Sequence, residues 1–255
     1  MLTTESWLKC YKPLPDAQLR LFCFPYVGSS AVAFRSWSDL LPSTIEVHAI
    51  ELPGRGTRIK ESVYTKMQPL IEAIAPALLP KLDKPFAFFG HSMGAILAFE
   101  CSRFLRKNYG LLPSCLFVSG RNAPHVQNQD SLANNVSKEA FLEELRLFKG
   151  TPEKVLKNPA MLKLLLPILQ ADYEVIKTYE YTEEVSLKCA LITFGSSEDI
   201  KTTIEGLKAW KEHTTDYFYL HKMPGNHFFI NSSKSLLIEQ IVSYLSVLGT
   251  KESKC

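Results

Sequence analysis

Two rhythms of apolar and polar residues run along this chain, and they take turns. Short, nearly unbroken apolar runs occur at Leu19 to Phe24, Ile45 to Leu52, Phe86 to Phe89, Cys115 to Ser119, Cys189 to Phe194 and Asp216 to Leu220. Runs of this length, bounded by Gly, Pro or Ser, read as buried strands. Between them the spacing turns helical: from about Ala31 to Leu41, Lys66 to Lys81, Ala95 to about Lys107, and Ile200 to His213. Leu237, Ile241, Tyr244, Leu245 and Leu248 mark an amphipathic closing helix, and Gly249 to Cys255 reads as a frayed tail. Strand and helix in alternation predict an α/β fold, with a mostly parallel central sheet and helices on both faces. Ligands of such sheets gather at the carboxyl ends of the strands, where the loops 25–30, 90–94 and 119–124 fall.

From His125 to Glu184 the alternation stops. Ser137 is the expected N-cap of one helix, with Val136 stapled onto Phe141 and with Phe141, Leu145 and Phe148 on one face. Thr151-Pro152 and Asn158-Pro159 each put a capping residue before a proline, a pattern of helix starts. Leu162, Leu165, Leu166 and Leu169 form an apolar stripe with a kink expected at Pro167, and a third segment is expected over Ala171 to Tyr179. The chain thus divides into a core of residues 1–124 and 185–255 and an inserted helical segment of residues 125–184. That insertion reads as scaffold or as a lid, and a lid is favoured because long insertions at the functional edge of a fold tend to cover it.

Composition narrows the class. Of 255 residues, 46% are hydrophobic and 22% charged, as in an ordinary globular protein, and the net charge of +3 is scattered. Scattered Lys and Arg argue against a nucleic-acid partner. Six cysteines show neither C-x-x-C nor a ligand-like pairing with histidine, which points to a reducing compartment. Met1 to Asp16 lacks the form of a signal peptide. Met161 to Ala171, the most apolar helix candidate, carries Lys163 and Pro167 and is too short to span a bilayer. The expectation is a cytoplasmic monomer without membrane association.

The chemistry centres on Gly90-His91-Ser92-Met93-Gly94-Ala95, which ends an apolar strand and opens a helix. Gly-x-Ser-x-Gly in that context is a nucleophile elbow, and small neighbours keep helix and strand from colliding. A serine hydroxyl needs a base, and the base needs an acid to orient it. His227, in the Gly-Asn-His turn after the last strand, is the best-placed base. His48, His91, His125, His213 and His221 are weaker on position. Asp199 is the best acid, with Glu198 beside it as runner-up, and Asp172 and Asp216 less well placed. The order Ser92, Asp199, His227 is that of an α/β-hydrolase. The oxyanion donors expected are the backbone amides of Met93 and Val27, with Gly28 and Ser29 letting the 25–30 loop approach closely.

With these residues placed, the chain resembles the type II thioesterases, stand-alone editing enzymes of polyketide and nonribosomal peptide synthetases. It is also similar to the animal thioesterase that releases medium-chain fatty acids from fatty acid synthase. The resemblance rests on Phe24-Pro25-Tyr26-Val27-Gly28-Ser29, Leu52-Pro53-Gly54-Arg55, the elbow, the Gly195 to Asp199 loop, Ala209-Trp210 and Gly225-Asn226-His227-Phe228-Phe229. Val27 departs from the family's Ala, and Ser29 and Asn226 from its Gly. The resemblance implies an α/β-hydrolase with a helical lid, Ser92, Asp199 and His227 as triad, and no metal or cofactor. It further implies an acyl, aminoacyl or peptidyl thioester substrate on the phosphopantetheine arm of a carrier protein, cleaved for editing or product release.

The alternative on the same residues is a lipase or small-molecule carboxylesterase, since a triad alone does not choose between thioester and oxygen ester. A non-hydrolytic adaptor with a hydrolase fold is the third reading. Arg35, Arg55 and Arg58 are candidates for steering an acidic carrier, each weighed against an ordinary solvated charge.

Overall fold

The computed structural model describes residues 4–126, 154 and 157–251. In chain order its elements are α1 (Thr4–Trp7), β1 (Leu8–Lys9), β2 (Leu19–Phe24), α2 (Trp37–Leu40), β3 (Ile45–Ile50), α3 (Met67–Leu78), β4 (Phe86–His91), α4 (Met93–Tyr109), β5 (Cys115–Ser119), α5 (Pro159–Lys177), β6 (Ala190–Gly195), α6 (Ile204–Lys208), β7 (Phe218–Lys222), α7 (Phe229–Ser232) and α8 (Lys234–Lys251). The strands form one sheet in the order β1-β3-β2-β4-β5-β6-β7. Only the short β1 runs antiparallel, pairing Leu8 with Ile50. Every residue of β2 through β6 is buried, which is why those segments read as continuous apolar runs rather than alternating ones.

Side-chain alternation within the strands still sorts the two faces. Phe22, Phe24, Phe86 and Phe88 join α3, α4 and Trp210 on one side. Leu21, Cys23, Ala87 and Phe89 join Trp37 and α8 on the other. The elbow strand β4 lies in the middle, paired in parallel with β2 and β5, so Ser92 emerges at the centre of the carboxyl edge.

Several elements differ from the sequence expectation. The stretch from Ala31 to Leu41 is a 3₁₀ turn over Ala31–Phe34 followed by α2. Ala31, Phe34 and Trp37 are all fully buried at three-residue intervals, a spacing that a tight turn serves better than a regular helix. The helix expected from Ile200 begins only at Ile204, capped by Thr203, whose hydroxyl accepts the Gly206 N–H at 2.9 Å. Residues 201–202 are instead held by Asp199. The last strand starts at Phe218, after Asp216 has accepted the Tyr217 N–H at 2.7 Å in a turn. The closing helix continues through Gly249, where a frayed tail was expected.

In the insertion, Asn158 caps α5 as expected, its Oδ1 accepting from Ala160 and Met161 at 3.0 and 3.2 Å. The separate third segment does not appear: α5 is one helix that runs on through Pro167 to Lys177. Pro167 and Lys163 are exposed, so the carbonyl that loses its N–H partner lies on the solvent side. Ser137, Val136, Phe141, Leu145, Phe148 and Thr151-Pro152 lie outside the described residues. Among the described residues no helix is long and apolar enough to cross a membrane.

Candidate active site

Ser92 has φ 54° and ψ −116°, and it is the one non-glycine residue with positive φ among the described residues. Such a conformation stores about 1–3 kcal/mol and persists only where its surroundings enforce it. Here the Ser92 N–H donates to the Ser119 carbonyl of neighbouring β5 at 2.8 Å, and the Ala95 N–H donates to the Ser92 carbonyl at 3.0 Å. The flanking glycines are fixed by backbone contact. A Cβ on Gly90 would overlap the Gly94 carbonyl, and one on Gly94 would overlap the Phe24 carbonyl at the end of β2. Gly90→Ala and Gly94→Ala are therefore expected to lower stability by about 1–3 kcal/mol or more, since backbone cannot step aside. Gly110→Ala is the control. Its φ is +68° with nothing within 4 Å, so only the left-handed cost of about 1–2 kcal/mol applies, and urea midpoints would separate the cases.

The structure brings His227 and Asp199 together. His227 Nδ1 lies 2.8 Å from Asp199 Oδ2, and both side chains are buried. Asp199 also accepts from the Lys201 N–H at 2.9 Å and the Thr202 hydroxyl at 3.2 Å. With the carboxylate as acceptor, Nδ1 carries the proton and Nε2 is left as the basic nitrogen. Glu198, the runner-up acid, is exposed, as is Asp216.

The remaining histidines are engaged locally. His48 meets Glu46 at 2.6 Å within β3, and His221 meets the Tyr244 hydroxyl at 2.9 Å. His91 is wholly buried beside the elbow, its Nδ1 2.9 Å from the Ser119 hydroxyl and its ring 5.1 Å from that of His227. Burial, and then the neighbouring His227, push its pKa well below the ordinary value, so it packs as a neutral ring under the site.

His125 and His213 approach within 2.7 Å, so they share one proton. Burial, then His125 and Arg103, bring the His213 pKa down to about 4. An unfolded histidine binds its proton near pH 6.5, so between about pH 4 and 6.5 the unfolded state holds more protons and stability rises with pH. His213→Asn is expected to flatten that slope in urea titrations run from pH 7 down to 4.5, relative to the parent.

The loop after β2 carries Val27 and Gly28 to the same edge. The Ser29 N–H closes a turn on the Tyr26 carbonyl at 2.9 Å, and Gly28 has φ +72°. A recess of about 260 Å³ is lined by Tyr26, Val27, Gly28, Ser29, Ser30, Val32 and Ala33. Met93 is the first residue of α4, where a backbone N–H has no acceptor within its own helix.

Two of the three candidate steering arginines are not surface charges. The guanidinium of Arg58 stacks 3.8 Å from the Trp7 ring and pairs with Glu61 at 2.6 Å. Arg55 pairs with Asp172 at 2.6 Å in the interior. Only Arg35 is exposed. Sequence reading missed the Arg55–Asp172 contact, which joins the insertion to the loop region.

A mostly parallel seven-stranded sheet with a strained serine between its central strand and the next helix defines the α/β-hydrolase fold. A family profile described as a thioesterase domain matches residues 19–246. The chain belongs to the thioesterase family, whose members hydrolyse thioesters. It is 40% identical over 96% of its length to "Linear gramicidin dehydrogenase LgrE" of Brevibacillus parabrevis, covering 94% of that protein. It is 34% identical over 89% of its length to the medium-chain S-acyl fatty acid synthase thioesterase of Rattus norvegicus, covering 87% of it. Among solved structures, the type II thioesterase BorB from the borrelidin biosynthetic cluster superposes with a TM-score of 0.86 at 32% identity, over 94% of this chain and 98% of that one.

Proposed function

We propose that this thioesterase releases acyl, aminoacyl or peptidyl groups from the phosphopantetheine arm of a carrier protein, as an editing or product-release enzyme of a polyketide, nonribosomal peptide or fatty acid synthase. The observation that carries the reading is the buried Asp199–His227 pair at the edge where Ser92 is held in its strained turn. In this reading the Ser92 oxygen adds to the thioester carbonyl carbon, its proton passes to His227 Nε2, and the carbonyl electron pair moves onto oxygen. The amides of Val27 and Met93 receive that charge. Collapse expels the thiolate, a ready leaving group because a cysteine-like thiol has a pKa of about 8.5, and the His227 imidazolium returns its proton to the departing sulfur, which leaves as the free thiol. Water, deprotonated by the regenerated His227, then attacks the acyl-serine, and the same proton passes to the Ser92 oxygen as the acid is freed. Asp199 keeps Nε2 basic and stabilises the imidazolium.

The insertion over 125–184 acts as the lid, with Leu162, Leu165, Leu166 and Val27 clustered around Leu169 as an apolar wall. Cys10, Cys23, Cys101, Cys115 and Cys189 are free thiols, in keeping with work in the reducing cytoplasm.

The test is thiol release from an acyl-loaded carrier protein beside the matching acyl-coenzyme A and a p-nitrophenyl ester. Preference for the carrier thioester, abolished in Ser92→Ala, is expected. Faster turnover of the oxygen ester would make the chain a carboxylesterase in practice. The name of the Brevibacillus relative raises a redox reading, and consumption of a reduced nicotinamide without thiol hydrolysis would favour it.

A further inference from the structure

Three segments far apart in sequence meet in one buried knot beside the proposed oxyanion site. Arg55, just beyond β3, gives Asp172 of α5 two parallel hydrogen bonds, Nη1 to Oδ2 at 2.7 Å and Nη2 to Oδ1 at 2.6 Å. The same Asp172 Oδ2 accepts the backbone N–H of Gly28 at 2.8 Å. Arg55 Nη1 also donates to the Ser29 carbonyl at 2.9 Å. Both residues are buried, their side chains 6% exposed for Arg55 and 4% for Asp172. A turn above, Leu169 occupies the space a Gly28 side chain would need.

The 25–30 loop is thus gripped on both sides of one peptide, at Gly28 N–H and Ser29 C=O. The gripped amide adjoins Val27, whose own N–H is the proposed oxyanion donor. The Val27 N–H shares its peptide with the Tyr26 carbonyl, which accepts the Ser29 N–H at 2.9 Å, so holding Gly28 N–H and Ser29 C=O sets that peptide through the turn, by the fold rather than by substrate. An oxyanion donor stabilises the transition state only if it is aimed in advance, so the knot has a catalytic consequence without touching substrate. Buried ion pairs contribute little net stability, and an apolar pair of similar volume often does as well. The bidentate geometry holds a loop in place.

We propose that Arg55 and Asp172 are positioning residues: from the insertion helix and the β3 loop they fix the oxyanion loop, so that α5 is part of the catalytic frame. This rests on the triad and oxyanion assignment above.

The test compares the parent with Asp172→Asn and with the double variant Arg55→Met, Asp172→Leu, which leaves no unpaired buried charge. Three readouts are needed: the rate of serine labelling by a fluorophosphonate, inhibition by an octylthio trifluoromethyl ketone, and binding of octanoate. The ketone forms an anionic hemiketal on serine and so reports the oxyanion site, whereas octanoate reports ground-state binding. In folded variants, labelling and ketone affinity are expected to fall about 10- to 100-fold, short of the 10²–10³ typical when a donor is lost outright. Octanoate affinity is expected to stay within about threefold, and Asp172→Glu to recover part of the labelling rate.

Labelling within twofold of the parent in the folded double variant overturns the proposal. So does equal weakening of ketone and octanoate, which marks a merely structural role. Failure of the parent to label at Ser92 would instead overturn the catalytic assignment, and the two failures are therefore distinguishable.

Discussion

Ser92→Ala is expected to lower turnover of an acyl thioester about 10⁵- to 10⁶-fold while the protein stays folded. The size follows from the nucleophile acting as one unit with its base. Where the serine of such a unit is removed the whole covalent route is lost, and only binding and oxyanion contributions remain. Stability should change by no more than about 0.5 kcal/mol, because alanine at φ 54° inherits the strain of serine. Ser92→Gly separates the two properties. It is equally inactive, but it relaxes the left-handed conformation and should gain about 1 kcal/mol. Thiol release with a chromogenic disulfide, beside urea unfolding, checks both. A Ser92→Ala enzyme that kept parental turnover would remove the nucleophile from the mechanism.

The second large effect is at the acid. Asp199→Asn should reduce kcat about 10⁴-fold with little change in KM. Asparagine retains an oxygen for the Lys201 N–H, so the loop should stay in place. It then turns an NH₂ group toward His227 Nδ1, which must become the acceptor. The proton moves to Nε2, and the base is lost by tautomer rather than by displacement. Glu198→Gln is the matched control. That side chain is exposed, and its loss should leave kcat within about twofold of the parent. A larger loss at Glu198 than at Asp199 would reverse the assignment of the acid.

Much of this was legible in the residues. The core strands β2 to β6 announce themselves because both faces are covered, so few polar positions interrupt the runs, and those that do are paired in the interior, as Arg20 and His48 are with Glu46. The elbow was legible because its glycines answer a contact that only backbone makes: Gly90 against Gly94, and Gly94 against Phe24. Asp199 could be preferred to Glu198 on loop position, and their opposite exposures follow from which carboxyl the His227 ring faces.

What stayed hidden depends on contacts between distant segments. Arg55 and Arg58 look alike in a loop rich in charge, yet one is buried on Asp172 and the other on Trp7 and Glu61. The available signal lay in α5, where Leu165, Leu169, Asp172 and Ile176 follow one helical face. A carboxylate on that buried stripe demands a cation, and the sequence does not say which one.

The grip of α5 on the Gly28 peptide bears on modular exchange within this fold. On the proposed role of the insertion as a lid, replacing it with one cut for a different acyl chain would look like a change of substrate chamber alone. Unless the donor segment brings a carboxylate to the place of Asp172, the graft strands the Arg55 guanidinium in the interior, at a cost of about 3–5 kcal/mol. Unless it also brings a side chain that tolerates the bare face of Gly28 as Leu169 does, the loop beneath loses its stop. Transplants should therefore be cut before Leu165 and leave the second half of α5 with the recipient.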